Sequence, residues 1–321
     1  MRGLVMGHYA AGSKGIVPVD ECPVHSTRAN RIAFALRDRL ARAGIAAADA
    51  RGGILRHLVV RTTDDDAEAV AMLVVTRNDK SLRAPVRGLL ASVDAPDGFF
   101  ININTASGPY MVGDETIKIA GVSHVREMGI AGVTGARGVR FLVSPDAFFQ
   151  TNVGAARELV SLVLEGVGPA TRVLDLYCGS GLFTLPLAIG GARVTAIEEN
   201  HQAIDDLKAN AKLNRIAAAR VNPIAARVED AIERVSREAC DAVVLDPPRD
   251  GCAPRVRAAV FGQIRPVRAV YVSCNPEALA GELPDILKSG YGIERVQAVD
   301  MFPHTEHIET VVTFRRLPGR T

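Results

Sequence analysis

From about residue 160 onward, apolar residues come in short dense runs separated by amphipathic stretches. The runs are TRVLDLYC (171–178), ARVTAIE (192–198), CDAVVLDPP (240–248) and VRAVYVSC (267–274). Between them lie LKANAKLNRIAAA (207–219), VEDAIERVSREA (228–239), PRVRAAVFGQI (254–264) and PEALAGELPDILKSG (276–290). Near-continuous apolar strands alternating with amphipathic helices predict a parallel sheet covered on both faces. YGIERVQAVDMF and ETVVTF then follow as two strands with no helix between them, which predicts an antiparallel end to the sheet. The front of the chain is less regular. Ile32, Leu36 and Leu40 recur at helical spacing and predict a helix over 28–43. HLVVRT (57–62), AVAMLVVT (69–76) and GFFININT (98–105) read as strands. The pattern therefore predicts an α+β domain over 1–140 and an α/β domain over 141–321, and no internal repeat is evident.

Composition narrows this picture in two ways. With 48% hydrophobic and 23% charged residues in 321, the chain has an ordinary globular balance and enough length for two cores. No apolar run reaches the roughly 18–20 residues of a membrane span, and the first residues do not resemble a secretion signal, so a cytoplasmic protein is expected. Cys22, Cys178, Cys240, Cys252 and Cys274 form no CxxC pair, which argues for reduced thiols and against a disulfide framework or a zinc site. The net charge of +2 is unevenly spread: residues 1–140 carry 18 Lys and Arg against 14 Asp and Glu, about +4, and the remainder about −2. A basic front suits a polyanionic partner, although scattered arginines also make an ordinary solvated surface.

DLYCGSG (175–181) closes the first back-half strand and leads into the helix-like LFTLPLA. Gly179 and Gly181 at such a turn let a ligand approach the backbone closely. Glycine turns of this kind also serve dinucleotide-binding folds. Here the turn is headed by Asp175, and a second acid, Glu198, ends the next strand, where it can accept hydrogen bonds from a ribose diol. That pairing is the arrangement that seats S-adenosylmethionine in the Rossmann-like methyltransferase fold; a nicotinamide cofactor stays open at this point.

DPPRDG (246–251) sits at the carboxyl end of its strand, the edge of an open α/β sheet that faces the ligand crevice. Amino-group methyltransferases carry an aromatic residue after the two prolines, where this chain has Arg249, which disfavours methylation of an exocyclic amine. The next strand ends in Val272-Ser273-Cys274-Asn275-Pro276. A lone cysteine is usually a small buried hydrophobe. Cys274 differs from the other four by standing on the same sheet edge as DLYCGSG and DPPR, before a helix whose terminal dipoles are expected to lower its pKa. DMFPHTEHIETVV (300–312) brings His304, His307 and Glu309 ahead of the last strand, and one HxxH pair does not make a metal site.

Taken in order, FFQTN, DLYCGSG, DPPRDG, SCNP and FPHTEHIE resemble the RNA 5-methyluridine methyltransferase family, and IVPVDECPVH (16–25) and GILRHLVVR (53–61) resemble its central domain. The resemblance implies a Rossmann-like S-adenosylmethionine methyltransferase fold preceded by a smaller, RNA-contacting α+β domain. It implies Cys274 as the nucleophile that adds to carbon 6 of uracil and Glu309 as the base that removes the carbon 5 proton. Gln150, Tyr177, Glu198 and Asp246 match cofactor-contacting positions, with Arg249 and Phe149 at the target nucleotide. RNA is the implied partner, reached by flipping a base out of its stack. DMFPHT looks more like the branch acting on 23S ribosomal RNA than the transfer-RNA branch.

The sequence also departs from the family. Many members begin with a small β-barrel domain and carry a four-cysteine iron–sulfur cluster; Cys22 alone cannot hold one, so no cluster is expected and the front half reads as shortened. Two competing readings accompany the first: an RNA cytosine carbon-5 methyltransferase, and a non-catalytic RNA-binding relative.

Overall fold

In the computed structural model, residues 4–319 are described except 11, 14, 50–51, 107–110, 131–137 and 238. The chain divides into two units, Met1–Glu127 with Val143–Asp146, and Met128–Leu142 with Ala147–Thr321.

In the first unit, β1 (Gly7–Tyr9) and β2 (Ile16–Pro18) form an antiparallel pair ahead of α1 (Thr27–Arg42). Ser26 starts that helix by accepting a hydrogen bond from the Ala29 amide at 3.0 Å. There follow β3 (Leu55–Thr62), β4 (Ala69–Val75), α2 (Arg83–Leu90), β5 (Gly98–Ile103) and β6 (Glu115–Gly121). They build a sheet in the order β3-β4-β5-β6, antiparallel except for the β4–β5 pair that α2 connects. Ile32, Leu36 and Leu40 of α1 pack with Leu82, Leu89, Leu73 and Phe99 in one core, which is why the helical spacing was legible. β7 (Val125–Ile130) and β8 (Val139–Val143) pair where the chain passes from one unit to the other.

The second unit runs α3 (Val153–Val167), β9 (Arg172–Leu176), α4 (Thr184–Ile189), β10 (Arg193–Glu198), α5 (His201–Leu213), β11 (Val221–Ala225), α6 (Val228–Val235), β12 (Ala242–Leu245), α7 (Pro254–Arg257), β13 (Arg268–Ser273), α8 (Pro276–Lys288), β14 (Tyr291–Val299) and β15 (Glu309–Arg316). A π-helical stretch over Ala258–Ile264 continues α7. The seven strands lie in the order β11-β10-β9-β12-β13-β15-β14, with β9 to β13 parallel and β15 antiparallel to both neighbours. This is the expected α/β architecture with an antiparallel end. The four parallel runs and both terminal strands fall where the hydrophobic pattern put them.

Three elements of the second unit differ from that reading, the first being α3, which lies ahead of the first apolar run. The pattern misses β11, whose five residues VNPIA hold a proline; Pro223 is tolerated because β11 is the edge of the sheet. The helix expected over 207–219 starts earlier, at His201. Asn200 caps it by accepting from the Gln202 and Ala203 amides, and it ends before Arg215, which has φ 57°. The 207–219 window straddles that stop.

The chain winds outward from β9 to β10 and β11, then returns to β12 on the other side of β9. That reversal opens a crevice over the carboxyl ends of β9 and β12. The sheet face under α6, α7 and α8 is an apolar core that includes Leu174, Leu176, Val243, Leu245, Tyr271 and Phe314. Such side chains contribute roughly 1.5–3 kcal/mol each when fully buried, so the backbone at the crevice is stiffly held. Among the described residues, no helix is long and apolar enough to cross a membrane.

Gly181 shows how tightly the turn after β9 is set. It has φ +96°, and a Cβ there would lie 2.4 Å from Leu207 Cδ1 of α5. Gly179 has φ +51° with nothing within 4 Å of an added Cβ. Gly181→Ala should therefore destabilise the protein by about 2–4 kcal/mol, combining backbone strain and overpacking, and Gly179→Ala by about 1 kcal/mol. Urea denaturation of the two variants checks the order.

Candidate active site

Parallel strands put their carboxyl ends on one edge, and register decides which residues share it. Leu245 pairs with both Leu176 and Tyr271, so Tyr177 and Asp246 emerge side by side just past the ladder. Ser273 pairs with Thr310 in the antiparallel β13–β15 ladder. The next residues outward on those two strands are Cys274 and Glu309, and Glu309 also pairs with Val299 of β14. Glu198 ends β10 on the other flank. One edge thus gathers Glu198, Tyr177, Asp246, Cys274 and Glu309.

The turn after β9 is built for close approach. Tyr177, Gly179 and Gly181 all have positive φ, at 63°, 51° and 96°. The Cys178 amide donates to the Ile197 carbonyl at 3.0 Å, which ties the turn to β10. Glu198 completes the tie: its Oε2 accepts from the Gly179 amide at 3.1 Å and its Oε1 from the Asn200 amide at 2.8 Å. Each oxygen keeps a further lone pair for a ligand. The Tyr177 hydroxyl is turned away to Glu229 Oε1 at 3.2 Å and the side chain packs against the apolar core, which leaves the backbone to a ligand.

Asp175 is fully buried, with Oδ2 accepting from Thr184 Oγ1 at 2.5 Å and Oδ1 without a partner. Burial pushes its carboxyl up to about 7; the Thr184 hydrogen bond opposes the shift, and the nearby Glu198 adds to it. Burial likewise raises Asp246 well above the carboxylate range, helped by Glu309, Asp175 and Glu198. Glu309 is raised by burial and held back by Arg249, and its Oε2 is also unpartnered. Gln150, buried two residues before the Asn152 cap of α3, leaves its Oε1 unpartnered too. An unmet buried acceptor costs about 1–3 kcal/mol, and a donor-bearing ligand removes that cost. An edge on which neighbouring acids raise Asp175 and Asp246 favours a cationic ligand and disfavours the pyrophosphate of a dinucleotide.

The Cys274 loop is held by its neighbours. Ser273 Oγ donates to the Asn275 carbonyl at 2.9 Å and accepts from its amide at 3.1 Å. Asn275 Oδ1 caps α8 by accepting from the Glu277 and Ala278 amides, both at 3.2 Å, while Nδ2 donates to the Arg249 carbonyl at 3.0 Å. One side chain therefore fixes the thiol loop and the DPPR loop together. From below, Glu282 Oε1 accepts from the Cys252 amide at 2.7 Å, Tyr271 donates its hydroxyl to Glu282 Oε2 at 2.9 Å, and Arg257 pairs with Glu282 at 3.3 Å. The asparagine–proline step was a readable cap signal. Glu282 and Tyr271 carried no sequence signal, because only tertiary packing brings them under residue 252.

Two expectations need correction. The thiol of Cys274 is not lowered by a helix end: burial raises it, Glu309 and Asp246 raise it further, and Arg249 and a backbone hydrogen bond only moderate the effect. Phe149, expected at the target nucleotide, is buried with its ring 5.3 Å from that of Phe141, whereas the neighbouring Phe148 is 70% exposed. Arg249 is exposed beside Glu309 and Cys274, whose titration it influences. His304 is exposed and His307 packs edge-on against Phe302. Among the described residues, no three His, Cys, Asp or Glu side chains are grouped to hold a metal ion.

Comparison with known proteins adds to this geometry. The family described as tRNA (uracil-5-)-methyltransferase matches residues 132–317. An RNA methyltransferase of Gloeobacter violaceus is 33% identical over 317 residues, covering 97% of this chain and 66% of the relative. One of Geobacter sulfurreducens is 34% identical over 327 residues, covering 99% of this chain and 64% of the relative. The chain thus spans about two thirds of the length of these relatives. The crystal structure of Pyrococcus abyssi tRNA (uracil-54, C5)-methyltransferase in complex with S-adenosyl-L-homocysteine superposes with a TM-score of 0.77 at 29% identity, covering 94% of this chain and 70% of that one.

Two outcomes follow from the site's electrostatics and tethers. The rate of Cys274 alkylation by iodoacetamide, followed by peptide mass spectrometry, should have its pH midpoint above that of an ordinary thiol. Glu309→Gln and Asp246→Asn should lower that midpoint, because each removes a negative charge, and Arg249→Gln should raise it. Asn275→Ala should cost about 1–2 kcal/mol in urea denaturation, since it removes a helix cap and a loop tether together.

Proposed function

The chain belongs to the tRNA (uracil-5-)-methyltransferase family, and on that footing we propose that it methylates carbon 5 of a uridine in RNA. The observation that carries the proposal is the β13–β15 register, which sets a partly buried thiol beside a buried carboxylate at the mouth of an acidic crevice. A small-molecule methyl transfer needs no such pair.

S-adenosylmethionine fits the crevice and supplies an electrophilic methyl group when bound. It is cationic, and the edge holds an unpartnered acceptor on Asp175, lone pairs on Glu198, the carboxylate of Asp246 and open space over Gly179, to which the family resemblance adds the unpartnered acceptor of Gln150. Gly181 keeps the turn packed on α5, and Tyr177 shapes its entrance.

Carbon 5 of uracil is vinylic and a poor nucleophile. Cys274 gives its proton to solvent and its Sγ adds to carbon 6, which moves the ring electrons toward carbon 5 and the 4-oxo group and makes carbon 5 nucleophilic. After carbon 5 has been methylated, Glu309 takes the remaining carbon 5 proton, the 5,6 double bond re-forms, and the sulfur leaves as thiolate. Arg249 faces the developing negative charge on the ring. Phe148, not the buried Phe149, is the aromatic available to a flipped base. Since the thiolate attacks and burial raises its pKa, the rate should climb with pH through the Cys274 titration.

We assign the target to 23S ribosomal RNA on the form of DMFPHT, and the basic front unit to RNA contact in the cytoplasm. Likeness to the Pyrococcus abyssi enzyme favours transfer RNA as the second reading. Arg249 stands where cytosine carbon-5 enzymes carry a cysteine after the two prolines.

Incubation with methyl-labelled S-adenosylmethionine and each unmodified RNA, then digestion to nucleosides, should place the label in 5-methyluridine. Label in 5-methylcytidine, or none on either RNA with folded, cofactor-binding protein, overturns the proposal. Cys274→Ala should lose activity by at least about 10⁴-fold and form no adduct, in line with loss of other catalytic nucleophiles. Glu309→Gln should accumulate a covalent protein–RNA band on a denaturing gel, because addition proceeds and elimination stalls.

A further inference from the structure

The amino edge of the second unit's sheet carries a feature that methyl transfer does not use. Arg193 of β10 pairs in register with Arg172 of β9. Arg220 stands one residue before Val221, which pairs with Val194, so it lies opposite Arg193 on the other side. Arg172 and Arg193 thus stand abreast on adjacent strands, Arg220 closes the 3-10 turn that leads into the third, and all three line one cavity in a row about 10 Å long at ~4.8 Å per strand. Like charges directly opposite one another disfavour pairing. No carboxylate among the described residues forms an ion pair with any of the three. Asp241 spends its Oδ2 on the Thr171 hydroxyl and on the Thr171 and Arg172 amides, and these bonds, helped by the Arg172 charge, hold its carboxyl below its ordinary range. Arg220 reaches back to the Gly191 carbonyl.

The row borders a cavity of about 250 Å³, lined also by Thr195, Asn222 and Cys240. Thr195 and Asn222 pair with each other and lie two residues along the same strands, hence on the same face as the arginines. The floor is thus a basic row backed by a hydroxyl and an amide, the donor set that binds phosphate oxygens.

We propose that this groove binds consecutive phosphates of the RNA strand, at the opposite end of the strands from Cys274. The proposal rests on the RNA reading above. A five-residue strand separates the two edges by ~17 Å. An RNA held at both edges would be gripped on the backbone at one and read at the base at the other.

The test is binding of a 5′-labelled, unstructured 30-nucleotide RNA to the full chain by fluorescence anisotropy, from 50 to 200 mM NaCl. The variant is the triple Arg172→Gln, Arg193→Gln, Arg220→Gln. Single-stranded contacts contribute about 0.7 each to the slope of log Kd against log salt, so the triple variant should lose about 2 from that slope and bind about tenfold more weakly. S-adenosylhomocysteine binding should stay unchanged, and the melting temperature should hold or rise as the repulsion is removed. Arg193→Gln alone should lose about 0.7 and decides the matter if the triple variant does not fold. An unchanged slope with wild-type methylation intact overturns the groove alone. Calorimetric binding of pyrophosphate to wild type and not to the variant, with the RNA slope unchanged, makes this a site for a free phosphate and overturns the RNA assignment. Loss of slope in a protein that methylates no RNA keeps the groove and overturns the catalytic reading; absence of RNA binding by wild type overturns both.

Discussion

Six residue pairs tie β13 to β15, from Arg268 with Arg315 to Ser273 with Thr310. Side chains alternate along a strand, so a slip of one residue would turn Glu309 to the other face of the sheet and leave Cys274 without its neighbour. The slip is prevented by the core, because it would also take Val312 and Phe314 away from Tyr271, Phe261 and Tyr291. The apolar residues of β15 thus decide where a carboxylate sits at its first position. The remainder of the site hangs on that choice: Asn275 fixes the thiol loop to Arg249, and Glu282 holds the loop after Arg249 from beneath.

The same edge works against stability. Asp175, Asp246 and Glu309 are desolvated acids, and each has a pKa raised by burial. For an acid raised in the folded state, the folded protein binds protons more tightly than the unfolded chain. Stability then falls as pH rises from the unfolded value toward the folded one. For Asp175 that window runs from about 3.8 to about 7. A bound cation restores the charged form and recovers what was lost, so ligand affinity and the instability of the empty crevice are two aspects of one arrangement. The unpartnered oxygens on Asp175, Glu309 and Gln150 belong to the same account.

Much of this was legible in the chain because it rests on local pattern. The parallel strands announced themselves as apolar runs, the turn by Asp175 and two glycines, and Cys274 by standing where a strand stops. What escaped was set by context. An edge strand with Pro223 has no apolar run to show. Phe148 and Phe149 are the same residue type side by side, and only packing against Phe141 decides which is buried. The thiol pKa is not legible in the chain, because a helix end is visible in sequence, whereas the burial and the two acids that outweigh it come from other strands. Glu282 lies 30 residues from Cys252, and nothing in that separation foretells their contact.

A parallel sheet also sorts chemistry by direction. Every parallel strand presents its first residue at one edge and its last at the other, so charge bias at strand ends becomes charge separation across the sheet. Arg172, Arg193 and Arg268 open β9, β10 and β13, while Glu198, Asp246 and Glu309 gather at the far edge. Arg268 is paired with Glu294 at 3.0 Å, so the surplus positive charge concentrates on the β9–β10–β11 side. Acids held by turns and caps gather at one edge, and exposed arginines at strand starts stand at the other. A net charge of only +2 conceals this arrangement, since opposite surpluses at the two ends of the same strands cancel in the sum. Segregating the charges by strand direction keeps the field of one edge from weakening that of the other, because at physiological salt the Debye length is about 8 Å and the two edges lie farther apart than that.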